Sequence, residues 1–150
     1  MARRKRTEAN SRDEFEELRS RLLIDKHNLD DELVEHPELL FEASKGMMLA
    51  ISDRDTQKDY LKQIEGRITS RVAEQDPKAA QWKQDRWKEA DEEWVDERKK
   101  YNRLSKKVNQ WQALDEAFKQ RGYMLNNLAR VFAARMQAEG GKYEYDKDGR

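Results

Sequence analysis

PKAAQWKQDRWKEADEEWVDERKKYNRLSKKVNQWQALDEAFKQRGYMLNNLARVFAARMQA, running from Pro77 to Ala138, is the stretch whose reading decides the fold. It holds no proline after its first residue, and Trp87, Trp94, Tyr101 and Val108 recur in it every seven positions. A second row runs three positions on, through Ala90, Glu97, Leu104, Trp111, Phe118, Leu125 and Phe132. Two rows offset by three in a seven-residue repeat make one stripe along a helix. The same stretch concentrates positive charge, with ten cations against two carboxylates between residues 98 and 135. A packing surface and a binding surface are therefore expected on one element.

Asp76-Pro77 opens this stretch, with Asp76 as cap and Pro77 in the first turn. Upstream, Leu40, Phe41, Met47, Met48, Ile51, Tyr60, Leu61, Ile64, Ile68 and Val72 recur at three- and four-residue steps, which predicts a long helix from Pro37 to Gln75. Its row is interrupted over Ser52 to Lys58, a polar turn that reads as a solvated loop, a kink or a partner surface. Two long helices joined by a tight turn pack antiparallel. Residues 77–119 alone span about 64 Å as a helix, against a radius of gyration of ~15 Å for a compact domain of this length, so an elongated molecule is expected. Near Trp111 the stripe slips by one position, which redirects a seam. Gly122 then predicts a kink or break, followed by an amphipathic helix over about 123–136. Gly140-Gly141 and the polar residues around them, 139–150, read as a disordered tail.

Towards the amino terminus, Asn10 or Ser11 can cap a short helix with Phe15, Leu18 and Leu22 on its apolar face. Asn28 can cap a second, with Leu29, Leu33 and Val34 inward, which Pro37 stops. Residues 1–12 carry Arg3, Arg4, Lys5 and Arg6 without an apolar partner, so they read as a disordered basic arm that either touches phosphates or stands solvated. Residues 13–42 are acidic, with eleven carboxylates against three cations. The fold class expected is all-α, an elongated helical hairpin of two long helices, about 37–75 and 77–119. Short N-terminal helices and a C-terminal amphipathic oligomerisation helix complete one domain over 13–138.

Composition agrees with long helices that associate side by side. Of 150 residues, 41% are charged and 36% hydrophobic, which does not suffice for a large core, so oligomerisation is expected to supply the missing burial. With no cysteine there is no disulfide, thiolate site or cysteine nucleophile, as suits a reducing compartment. No apolar run approaches the roughly 18 residues of a membrane span, and the basic start has no hydrophobic region behind it. A soluble, cytoplasmic protein is expected.

A search for catalytic chemistry gives little. His27 and Asp31, and Glu32 and His36, each stand four apart on a possible helix, but two ligands do not make a metal site. There is no phosphate loop, nucleophile elbow or dinucleotide fingerprint, so no enzyme, cofactor or metal is expected. The strongest signal is the basic stripe of Arg98, Lys99, Lys100, Arg103, Lys106 and Lys107, continued by Lys119 and Arg121, with no acidic residue between Glu97 and Asp115. It reads either as a polyanion-binding surface or as the solvated flank of a coiled coil, and it can equally meet the acidic stripe of a neighbouring subunit. Single strands are held by cationic grooves with aromatic side chains on which bases stack. Tyr101 and Trp111 flank the stripe and Trp82 and Tyr123 lie outside the seam, whereas Trp87, Trp94 and Trp111 are at the spacing of packed residues.

Three features in order, Ile24-Asp25-Lys26-His27-Asn28-Leu29, Pro37-Glu38-Leu39, and Phe118-Lys119-Gln120-Arg121-Gly122-Tyr123-Met124-Leu125, resemble the phage recombination mediator family of UvsY. The resemblance runs over roughly residues 15–138. It implies a non-enzymatic, all-helical protein that assembles into a homo-oligomeric ring of six or seven and binds single-stranded DNA. It further implies that the protein loads a RecA-like recombinase onto strands covered by single-stranded-DNA-binding protein, in recombination and repair. The family's basic and tyrosine-rich stretch has its nearest counterpart in Arg67-Ile68-Thr69-Ser70-Arg71, which keeps two arginines and no tyrosine. DNA contact is therefore expected from Arg67 and Arg71 together with the stripe from Arg98 to Lys107, Lys119 and Arg121, or from the basic arm. Subunit contact is expected through Leu114, Phe118, Leu125, Leu128 and Phe132. The competing expectation is an oligomeric coiled-coil assembly or scaffolding protein without a specific DNA function.

Overall fold

The computed structural model describes residues 13–78 and 81–145, with side chains placed as far as residue 138. The arm over 1–12 and the last five residues lie outside the described part. Every element within it is helical: α1 over residues 13–20, α2 from Leu29 to Gln75, α3 from Gln81 to Ala90, and α4 from Glu92 to Tyr145. The all-α hairpin of two long helices is what the structure shows. The chain divides into two compact units, Met1–Ser44 with Ala113–Arg150, and Lys45–Gln112. Both long helices contribute to each unit.

In the first unit Asn28 immediately precedes α2, and its carbonyl accepts the Glu32 N–H at 3.1 Å. The acidic first turn of Asp30, Asp31 and Glu32 suits the positive end of the helix dipole. Glu32 also folds the preceding loop down, because its Oε1 accepts the Asp25 N–H at 2.9 Å. α2 then passes straight through Pro37, where a stop was expected. A proline inside a helix removes one hydrogen bond and crowds the carbonyl four residues back, at a cost of about 3 kcal/mol. Contacts with α4 on both sides of it offset that cost: Glu32 and His36 meet Arg121 before the proline, and Ser44 meets Asp115 after it. The rising numbers on α2 meet falling numbers on α4, so the helices run antiparallel. Ala43, Leu114, Phe118 and Leu125 form the apolar interior, with Phe118 and Leu125 fully buried. α4 is unbroken at Gly122, because the glycine is a packing residue and no hinge: a Cβ there would stand 2.5 Å from His36 Nε2. Nor does it end before Gly140-Gly141, since α4 runs to Tyr145.

The second unit is built on Ala50, Leu61, Ile64, Ile68 and Val72 of α2 and Val108 and Trp111 of α4, all buried. Trp94 closes the cluster of Ile64, Ile68 and Val72, and Gly46 is pressed against the Trp111 indole, where a Cβ would come within 2.2 Å of the ring. The polar run from Ser52 to Lys58 is regular helix, and Gln57 donates there to Glu97 Oε2 at 2.7 Å. Most of the run is exposed, and Gln57 meets a polar partner on α4. The break expected at Asp76-Pro77 is present: α2 ends at Gln75, and Asp76 accepts a hydrogen bond from Lys83 Nζ at 2.5 Å. Helix does not run on from there to Lys119, however. It is interrupted at Asp91, which caps α4 by accepting the Trp94 N–H at 3.0 Å.

Candidate nucleic-acid interface

The cations of α2 and α4 stand in three states. At the start of α4, carboxylates pair with cations of α2. Arg67 Nη2 donates to Glu93 Oε1 at 3.0 Å, and the Tyr60 hydroxyl donates to the same oxygen at 3.0 Å. The hydrogen bond to Glu93 and its charge push both the Tyr60 phenol and the Arg67 guanidinium above their ordinary values, so both stay protonated. Arg71 Nη2 donates to Asp91 Oδ2 at 3.1 Å. The Trp94 N–H, and after it Arg71, hold the Asp91 carboxyl below the usual carboxylate range. Arg67 and Arg71 remain more than half exposed, at 57% and 56% of their side chains, and with Gly66 and Ser70 they line an open groove floored by Asp91, Glu92 and Glu93.

One turn further on, Lys99 pairs with Asp96 at 3.1 Å and Lys100 with Glu97. Arg98 takes aromatic partners instead, its guanidinium carbon lying 5.9 Å from the Trp94 ring centroid and 5.4 Å from that of Tyr101. This is a cation held between two rings of its own helix, worth roughly 0.5–1 kcal/mol where exposed. Arg103, Lys106 and Lys107 follow, the first two exposed and the third half-buried. Among the described residues, no ion pair engages any of these three. Their charge is therefore the part of the stripe available to an outside anion.

Beyond residue 112 the cations of the first unit divide: Lys119, Arg130 and Arg135 are exposed, and Arg121 is buried. Lys119 Nζ pairs with Asp115 Oδ2 at 2.7 Å, and Asp115, only 1% exposed, also accepts the Ser44 hydroxyl. Burial works against the Asp115 charge, but the hydrogen bonds from Lys119 and Ser44 outweigh it and hold the carboxyl below its ordinary range. Arg121 is 3% exposed, donating to Glu32 Oε2 and, at 3.2 Å, to His36 Nδ1, while its Nε finds no partner. Burial and the Arg121 charge push the His36 imidazole below its usual value. Arg121 was expected to reach DNA, and its position corrects that expectation: it stands on the row of Leu114, Phe118 and Leu125 and is sealed by α2. The periodicity that puts Leu125 inside puts Arg121 beside it.

The expected subunit contacts divide in the same way. Leu114, Phe118 and Leu125 are buried in the interior of the unit. Leu128 is half-buried, and Phe132 is 54% exposed along with Val131 and Met136. Sequence reasoning also passed over Arg86, which packs on Trp82.

Among the described residues, no group of three or more histidine or acidic side chains is placed to hold a metal ion, and no helix is long and apolar enough to cross a membrane. No protein-family model, no curated protein and no solved structure matches the chain.

Proposed function

We propose that the protein binds single-stranded DNA along the first half of α4 and acts as a recombination mediator, helping to load a RecA-like recombinase onto strands coated by single-stranded-DNA-binding protein. The observation that carries the binding is the run of Arg103, Lys106 and Lys107, cations without a carboxylate partner among the described residues, next to an arginine held between Trp94 and Tyr101. Phosphates attract such a surface through release of their counterions. Arg67, Arg71, Lys99 and Lys100 add to it less strongly, because an anion must compete with Glu93, Asp91, Asp96 and Glu97. The mediator role itself draws on the three sequence features shared with the UvsY family. Self-association would then use the exposed end of α4 around Leu128 and Phe132, and a ring of six or seven copies would multiply weak phosphate contacts by effective concentration.

One observation favours a second reading, an oligomeric coiled-coil assembly protein. Four of the cations assigned to DNA are already neutralised by neighbouring carboxylates, as expected of charges that only fix helix register. A titration of single-stranded DNA with the chain lacking residues 1–12, at ~0.15 M salt, separates the two. Retained affinity supports the DNA reading, and loss of all affinity supports the structural one. Faster recombinase assembly on protein-coated strands in the presence of this protein tests the mediator role directly, and an unchanged rate contradicts it.

A further inference from the structure

α3 presents a tryptophan that packing does not explain. None of its ten residues is buried, and Trp82 is 62% exposed. An indole ordinarily justifies its place by the apolar area it removes from water, and here most of that area stays wet. The other three tryptophans are more enclosed. Trp111 is in the interior, Trp94 closes the isoleucine cluster and donates its N–H to Glu65, and Trp87 is only 38% exposed.

Arg86, one turn beyond Trp82, holds its guanidinium carbon 5.8 Å from the Trp82 ring centroid. The neighbouring lysines are engaged, Lys83 with Asp76 at 2.5 Å and Lys88 with Asp85 at 3.6 Å. Among the described residues, the ring is the partner of Arg86, and no ion pair holds it. A wet indole with an unpaired cation beside it has the two components by which proteins hold an unpaired nucleotide: a π face for the base and a positive charge for the phosphate. A duplex keeps its bases stacked on each other, so such a platform serves only a single strand.

We infer that Trp82 and Arg86 form a stacking site for an unpaired nucleobase, the indole receiving the base and the guanidinium the adjoining phosphate. This rests on the single-strand reading above and adds to it a contact that is not electrostatic. The two kinds of contact leave different signatures, since phosphate contacts set the salt dependence of binding whereas stacking shifts the affinity at every salt concentration.

The test uses the full chain, an oligothymidylate strand and the same strand with its bases removed. Wild type is expected to bind the intact strand about tenfold more tightly than the abasic one. Trp82→Ala should lose about that factor on the intact strand, lose the preference for bases, and keep the salt slope, while Trp82→Phe retains most of the affinity. Because α3 buries no residue, these variants leave the interior untouched. If Trp82→Ala binds both strands as wild type does, the stacking site is wrong and the single-strand reading stands. If wild type binds neither strand, the single-strand reading falls and takes the stacking site with it.

Discussion

The two units handle positive charge in opposite ways. In the first, Arg121 is buried with Glu32 on the apolar row of α4, and the exposed Lys119 pairs with the buried Asp115. In the second, Arg103, Lys106 and Lys107 stand beside the buried row of Val108 and Trp111, with no carboxylate among the described residues to answer them. One helix supplies both sets, and the difference is angular: Arg121 falls on the seam, Arg103 and Lys106 fall off it. Cation density along a helix therefore does not measure binding capacity. Only the cations that packing leaves unmatched are available to a ligand.

The comparison is broken most severely at Arg121. Arg121→Ala leaves the Glu32 carboxylate without its partner in a largely buried setting, and is expected to destabilise the fold by about 3–5 kcal/mol in denaturant unfolding. Replacing both partners by apolar residues, Arg121→Met with Glu32→Met, should recover much of that loss. Gly46→Ala comes next, at about 1–3 kcal/mol, because the new Cβ must displace the Trp111 indole. A shifted tryptophan emission should accompany it, and unchanged stability would mean that the helices separate there without cost.

Stability of the first unit should also depend on pH through His36. Its folded-state value lies below the unfolded value of 6.5, so the neutral ring is favoured by folding. The contribution is fully present above the unfolded value and is lost as pH falls below it towards the folded value. His36→Gln should remove this acid-side decline, and an identical pH profile in the variant would contradict the assignment. The smallest effect is expected at Arg67, whose exposed pair with Glu93 is of the kind that adds little to stability. Arg67→Ala should leave the unfolding midpoint where it is.

Much of this architecture is legible in the sequence, because the three- and four-residue steps of Leu61, Ile64, Ile68 and Val72 and of Trp111, Leu114, Phe118 and Leu125 are the core itself. Pro37 and Gly122 misled for a shared reason. Local propensity disfavours helix at both, by about 3 and about 1 kcal/mol, and contacts from the other helix, invisible to a local reading, outweigh it. Gly122 is needed where His36 approaches, and Pro37 is bracketed by Arg121 and Asp115 contacts. Asp91 is the reverse case: an aspartate followed by Glu92 and Glu93 has the chemistry of a helix start, but the heptad running through it concealed the interruption. Of the candidate site, the stripe was legible as composition. Its division into paired, unpaired and buried cations was not, because that depends on side-chain placement: Lys99, Lys100 and Lys119 pair within α4, while Arg121 is buried with Glu32 of α2.

The most direct test of the unmatched-cation surface is the salt dependence of single-stranded DNA affinity in two charge-reversal pairs. Each phosphate neutralised contributes about −0.7 to the slope of log affinity against log salt. Arg103→Glu with Lys107→Glu should make that slope shallower by at least about 1.4, whereas Arg67→Glu with Arg71→Glu, which reverses cations already held by Glu93 and Asp91, should change it less. Equal slopes in wild type and the Arg103 and Lys107 variant, or a larger change from the Arg67 and Arg71 pair, would contradict the placement of the strand on α4.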